Sequence, residues 1–312
     1  MKDKVFLPIG VLAFVAMMGL VGRVFAAEGG YSNYVPGTYG DFGMALAPAD
    51  SWTLRNDTYY YGAEIDESLR SGALQLDTDL DFLMNFTTLL YKPDFELFGG
   101  QYAGGIFMPI VSLDIKTDID LNGLDFETDD SASGLGDIAL IPLALYWQND
   151  NYYWSLLHLI VAPTGDYDID NPINASLNYW SFDTNVAFTY LNPETGKDLS
   201  FNLGYIYNTE NDDTDYQTGQ ELHLDFAFNQ FFSDTFALGL QGFYLKQFTG
   251  DSGDGAVLGD FKAEAAGIGP AALWSTNIGD QNVTFIAKWL HEFHAENRVE
   301  GDHIFFSFAM DW

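Results

Sequence analysis

The last ten residues, His303 to Trp312, constrain the fold more than any other stretch. Ile304, Phe306, Phe308, Met310 and Trp312 fall on one face of an extended segment, and His303, Ser307, Ala309 and Asp311 fall on the other, with Phe305 the single misfit. A period of two marks a β-strand. The same alternation sets Leu222, Leu224, Phe226 and Phe228 against Glu221, His223, Asp225 and Asn229. It sets Leu80, Phe82, Met84 and Phe86 against Asp79, Asp81 and Asn85, and Trp180, Phe182, Val186 and Phe188 against Ser181, Asp183 and Asn185. Leu199, Phe201, Leu203 and Tyr205 likewise stand against Ser200, Asn202 and Gly204.

Every such strand has one greasy and one polar face, and no helical pattern is available to cover either. Closure into a barrel in lipid resolves this, because lipid accepts the apolar face and the closed sheet pairs its whole backbone. Short connections at 92–94, 148–151, 192–197, 233–234 and 277–280 alternate with longer acidic ones near 62–75, 116–134, 165–177, 208–220, 250–259 and 294–301. The fold expected is therefore an all-β transmembrane antiparallel barrel of about twelve strands over 53–312, with short periplasmic turns and long acidic extracellular loops. Aromatics beside the short turns, among them Tyr91, Phe95, Tyr146, Trp154, Phe231, Phe236 and Trp274, read as a periplasmic girdle.

Residues 1–26 have the layout of a cleavable export signal: Lys2 and Lys4, an apolar run from Val5 to Leu20, and a small-residue exit at Ala26-Ala27. Its loss removes three of twelve basic residues and one of forty-five acidic ones, taking the formal charge from −33 to −35. A chain so acidic repels nucleic acid and anionic lipid surfaces. It contains no cysteine, so no disulfide staples the exported protein. The expected location is the Gram-negative outer membrane, with its lipid as a partner.

On the face opposite the aromatics stand Asp79, Asp81, Asp183, Glu221, His223, Asp225, Lys262, Glu264, Lys288, Glu292 and His303, expected to line the lumen as a substrate pathway. A mostly acidic lumen favours neutral or cationic solutes. The five histidines show no zinc spacing, since His291 and Glu292 point to opposite faces of a strand. The acidic runs 166–170 and 212–215 do not fit the twelve-residue calcium loop. No Gly-X-Ser-X-Gly elbow occurs, so no metal, cofactor or enzymatic role is expected. The glycine- and proline-rich stretch from Tyr34 to Pro48 within 27–52 has two readings. It is a periplasmic lead-in, or Tyr34, Pro36, Tyr39, Asp41 and Phe42 fold into the lumen as a plug that keeps apolar groups from water.

A strand that closes the chain on an aromatic, in an exported protein, resembles the terminal insertion signal of outer-membrane barrels. Phe306, Phe308, Met310 and Trp312 are then the contact for the barrel-assembly machinery. Several phrases together resemble the outer-membrane family named for the meta pathway of phenol degradation. They are Tyr34-Val35-Pro36-Gly37 with Tyr39-Gly40-Asp41-Phe42-Gly43, Ala162-Pro163-Thr164-Gly165-Asp166-Tyr167, the stretches 177–183 and 205–210, Gly250-Asp251-Ser252-Gly253, Leu258-Gly259-Asp260-Phe261-Lys262, and Lys288-Trp289-Leu290-His291-Glu292-Phe293. The resemblance implies passive uptake of small hydrophobic or aromatic solutes. The alternatives are a barrel with a purely structural or surface-interaction role, or an outer-membrane hydrolase.

Overall fold

The computed structural model describes residues 27–28, 31–69, 74–121, 125–256, 261–279 and 281–312; the expected export signal lies outside them. Fourteen strands are present: β1 (Trp52–Leu69), β2 (Leu74–Tyr91), β3 (Glu96–Leu97), β4 (Gly100–Leu121), β5 (Asp125–Leu135), β6 (Ile138–Asn149), β7 (Tyr152–Ala162), β8 (Ser181–Asn192), β9 (Lys197–Asn208), β10 (Glu221–Ser233), β11 (Phe236–Gln247), β12 (Glu264–Ile278), β13 (Gln281–Glu296) and β14 (Glu300–Asp311). Twelve of them form a closed antiparallel barrel, sealed where β1 pairs with β14 and where β2 pairs with β4. The two-residue β3 sits in the β2–β4 turn, and β5 pairs only with β4.

The final strand shows why the barrel closes as it does. Ile304, Phe306 and Trp312 are exposed on the outer wall, while His303 and Ser307 are buried inside. Phe305, the misfit of the alternation, turns inward and packs on Tyr59 at 4.7 Å between ring centres. Val186, Leu203, Leu222, Phe228 and Leu240 continue the apolar outer surface. Their inward neighbours Asp183, Asn185, Asn202, His223, Asp225 and Gln241 are buried and polar.

Three sequence expectations change. On β2, Leu80, Phe82, Met84 and Phe86 face the interior, not lipid. The alternation itself is real; what period alone leaves undecided is which face is inner. The outer face of this region is in part polar, and it is satisfied locally: Asn56 and Asn85 exchange side-chain hydrogen bonds (2.9 and 3.1 Å) and also bond Thr87 and Thr58. Second, much of the expected long loops at 62–75, 116–134 and 294–301 is strand. β1 and β2 pair through Leu69 and Leu74, and β4 pairs with β5 up to Asp120 and Asp125. A tilted strand needs about 9–11 residues to cross a bilayer, so these hairpins, with β4 spanning 22 residues, rise beyond it. Tyr146 and Phe231 of the expected girdle turn inward, towards a cavity and onto Phe42 respectively.

Val186 lies midway along β8 on the outer face, so Val186→Arg should cost about 2–4 kcal/mol in a bilayer. The urea midpoint of the liposome-inserted barrel reads this; an unchanged midpoint would contradict the assigned face.

Candidate functional site: the luminal segment and its cavity

Residues 31–47 run through the barrel. At the loop end, Tyr31 donates its hydroxyl to the carbonyl of Asn174 (2.8 Å) and Asn33 bonds Ser181 (2.6 Å) at the outer end of β8. At the opposite rim, the amide of Ala49 reaches Asp311 (3.4 Å), and Lys92 reaches the carbonyl of Ala49 (3.2 Å). Irregular backbone within a membrane-spanning protein has to find partners in the protein itself. Inward carboxylates supply them. Gly40 N–H donates to Asp225 (3.2 Å), Gly43 N–H to Asp198 (2.8 Å) and Ala45 N–H to the Thr189 hydroxyl (3.0 Å). Lys288 serves the carbonyls, donating to Gly37 (2.5 Å) and Gly40 (2.6 Å) while its ammonium stands 4.3 Å from the centre of the Phe305 ring.

His223 is the centre of this packing. Its Nε2 lies 3.2 Å from Asp183 and its Nδ1 3.4 Å from Asp225. Tyr34 and Tyr39 stack on the imidazole, with ring centres at 4.0 and 5.2 Å. The same tyrosines donate their hydroxyls to the same carboxylates, Tyr34 to Asp225 (3.0 Å) and Tyr39 to Asp183 (2.6 Å). Ring faces and acids therefore read the segment together. Gly204 on the neighbouring strand is required here, because a Cβ would collide with the His223 ring. Gly37 has φ +83°, and a Cβ there would also strike Leu290. Nearer the β1 end of the segment, Asp41 pairs with Arg55, which also holds Asp57 (2.8 Å), and Phe42 meets the edge of Phe231 at 6.0 Å.

The segment fills only one side of the lumen. Between Tyr31, Val35 and Pro36 and the opposite wall is a cavity of about 320 Å³. Its wall is apolar: Phe82, Met84 and Phe86 on β2, Phe107 and Val111 on β4, Ile141 on β6 and Leu159 on β7. This volume falls at the small end of the range for small-molecule sites, which are mostly apolar with a few placed polar groups. Arg298, from the β13–β14 connection, also lines it, 3.9 Å from Glu292. Glu292 in turn lies 3.1 Å from His303 and accepts from Tyr61 (2.8 Å).

Of the residues expected in the lumen, Asp183, Glu221, His223, Asp225, Lys288, Glu292 and His303 are buried inside. Asp79, Asp81, Lys262 and Glu264 are not there. Asp79, Asp81 and Lys262 are exposed, and Asp81 accepts from the outward Tyr60 hydroxyl. Glu264 binds Lys246 and Tyr244 (both 2.7 Å) on the outer surface. The cause is the same for Asp79 and Asp81 as for their apolar neighbours: this wall faces the cavity with its greasy side. Glu264, His294 and Glu296 bring potential ligand atoms within 4.8 Å of one another, with Glu264 already tied to Lys246. Sequence reading missed Arg55, Asp57, Asp198 and Arg298. Arg55 and Asp57 alternate with Thr58 and Asn56 on a strand whose two faces are both polar, so no pattern singles them out.

The barrel and its internal segment together define an outer-membrane-type β-barrel fold. The chain belongs to the family described as "Putative MetA-pathway of phenol degradation", whose model matches residues 66–308. No curated protein matches the sequence. Among solved structures it is similar to the COG4313 outer membrane channel from Pseudomonas putida F1, at 17% identity over 86% of this chain and 98% of that one, with a TM-score of 0.62. More distant likeness extends to the β domain of the Bordetella autotransporter BrkA (8% identity, 84% and 100% covered, TM-score 0.47). A FadL homologue of Pseudomonas aeruginosa gives 8% identity, 92% and 98% covered, and a TM-score of 0.43.

Lys288→Met would orphan the buried carbonyl of Gly40, at about 1–3 kcal/mol, and leave the Gly37 carbonyl with only the Gly40 amide (3.1 Å). The folded barrel should then be cut by protease within 31–47 while keeping its heat-modifiable gel migration. Full protection would show that Lys288 does not hold the segment.

Proposed function

We propose that this protein is a passive channel of the Gram-negative outer membrane for small hydrophobic or aromatic molecules. The observation that carries this reading is the apolar cavity, which lies between a polar-anchored segment and a wall of Phe82, Met84, Phe86, Phe107 and Val111. Such a solute gains by leaving water, about 25 cal/mol for each Å² of apolar surface removed, and it can stack on Phe and Tyr rings. Family membership supports an aromatic cargo, and the name of the Pseudomonas putida relative supports a channel.

Residues 1–26 serve in this reading as the export signal, and Phe306, Phe308, Met310 and Trp312 as the recognition element for barrel assembly. Residues 31–47 act as a plug. Their anchorage to Asp183, Asp198, Asp225 and Lys288 keeps ions from the polar side of the lumen. The buried members Asp183, Glu221, His223, Asp225, Lys288 and Glu292 shape the pathway by holding that plug. His223 is stacked beneath Tyr34 and Tyr39, an arrangement suited to bracing more than to catalysis.

Two measurements test this. Deleting 31–47 should raise single-channel conductance in planar bilayers; unchanged conductance would remove the plug. In proteoliposomes, labelled toluene should enter faster than into protein-free vesicles, and Val111→Phe, which puts a ring into the cavity, should slow that entry several-fold. Flux equal to that of empty vesicles would remove the transport reading.

A further inference from the structure

The start of the described chain sits in a site of its own. Ala27 is buried among the outer loops, and its backbone nitrogen lies 3.0 Å from Asp251 Oδ2. The same oxygen accepts from the Tyr216 hydroxyl (2.7 Å), and Oδ1 accepts from the Gly219 amide (3.0 Å) and the Gln247 side chain (2.7 Å). Each of these donors is neutral, and Asp251 itself is 4% exposed. Glu28 brings a second carboxylate, held by Asn211 (3.1 Å to each oxygen) and Thr214 (2.6 Å), again neutral donors. A buried carboxylate is far cheaper when a cation faces it. A buried acid whose other partners, Tyr216, Gly219 and Gln247, are all neutral fits a positive charge at the main-chain nitrogen it faces.

As an internal residue, Ala27 does not suit the position. Its nitrogen would be a neutral amide, and its φ of +69° lies in the left-handed region, which costs a residue with a Cβ roughly 1–2 kcal/mol. Both problems disappear if the chain begins there. A first residue has no preceding carbonyl to clash with, and its nitrogen is an ammonium with three N–H donors.

We propose that cleavage between Ala26 and Ala27 creates the ligand for this site, and that the new α-ammonium of Ala27 docks on Asp251 and latches the luminal segment to the outer loops. The cut is a hydrolysis: water adds across the peptide bond, Ala26 leaves with the carboxylate, and the released amine of Ala27 takes up a proton. Terminal amines have an ordinary pKa of about 7.7–8.0, so the ammonium predominates near neutral pH, and Asp251 favours it further. The latch rests on the export reading of residues 1–26 and is independent of what the channel carries. It ties the segment at the top, while Lys288, Asp225 and Asp198 hold its middle, and it can form only after processing.

The test uses the full-length protein processed in cells and purified from outer membranes. Mass analysis of its N-terminal peptide should show a chain beginning at Ala27. Trace acylation at pH 7.5 should modify that α-amine at least about tenfold more slowly in the folded barrel than in urea, a protection of roughly 1.4 kcal/mol. Asp251→Asn should abolish the protection while the barrel keeps its heat-modifiable migration. Inserting Ser-Gly between Ala26 and Ala27, which displaces the amine without touching the loops, should do the same. A mature chain beginning elsewhere would overturn the cleavage register and with it the latch. An Ala27 amine that reacts equally fast folded and unfolded, or protection that survives both variants, would overturn the docking alone.

Discussion

A twelve-stranded barrel encloses more space than its own inward side chains fill. Eight strands leave an interior that side chains can pack, and sixteen leave a water channel; twelve fall between. Here the surplus is occupied by the chain's own residues 31–47. Once a stretch of irregular backbone lies inside a barrel, its N–H and C=O groups need partners from the wall, and that need accounts for the chemistry of the inner surface. Asp225, Asp198 and Thr189 receive amides, Lys288 serves carbonyls, and Asp183 and Asp225 take the two tyrosine hydroxyls.

The charge of the molecule divides along the same lines. Inside, the described basic groups have assigned partners: Arg55 with Asp41 and Asp57, Lys288 with two carbonyls, His223 between two aspartates. The excess of acids lies mostly in loops and on the outer hairpins, as at Asp79, Asp81 and the 166–170 run. The formal charge of −33 is therefore chiefly a property of the outer surface, and an acid-lined pore does not follow from it.

Period-two alternation made the barrel and most of its outer face legible, because a strand in lipid has to separate apolar from polar, and the alternation of short with long connections made its strand number legible. β8, β9, β10 and β14 obey that rule, with Val186, Leu203, Phe228 and Phe306 outside. β2 inverts it. Phe82 and Phe86 alternate as cleanly as Phe226 and Phe228, yet they face an apolar internal cavity, and such a cavity and lipid ask for the same side chains. The glycine-rich segment was legible as a candidate lumen element through aromatics that would otherwise face water. Its partners were not, since Asp183 and Asp225 meet Tyr39 and Tyr34 across some 144 and 191 positions of sequence. Arg298 was equally hidden, because a single arginine in a hairpin turn carries no periodic signal.

The two halves of the lumen differ in what movement would cost. On the polar side the segment is held by directional bonds to buried acids and to Lys288, and each group left unpaired there costs about 1–3 kcal/mol. On the cavity side Tyr31, Val35 and Pro36 line one apolar cavity with Phe82, Met84 and Phe86, where an apolar solute would make dispersion contacts. Filling the cavity thus needs no polar bond to break, whereas clearing the lumen needs several to break together. In the proposed channel, apolar solutes and hydrated ions would therefore meet different barriers, and the wall formed by β2, β4, β6 and β7 would set the first of them without involving His223 or its aspartates.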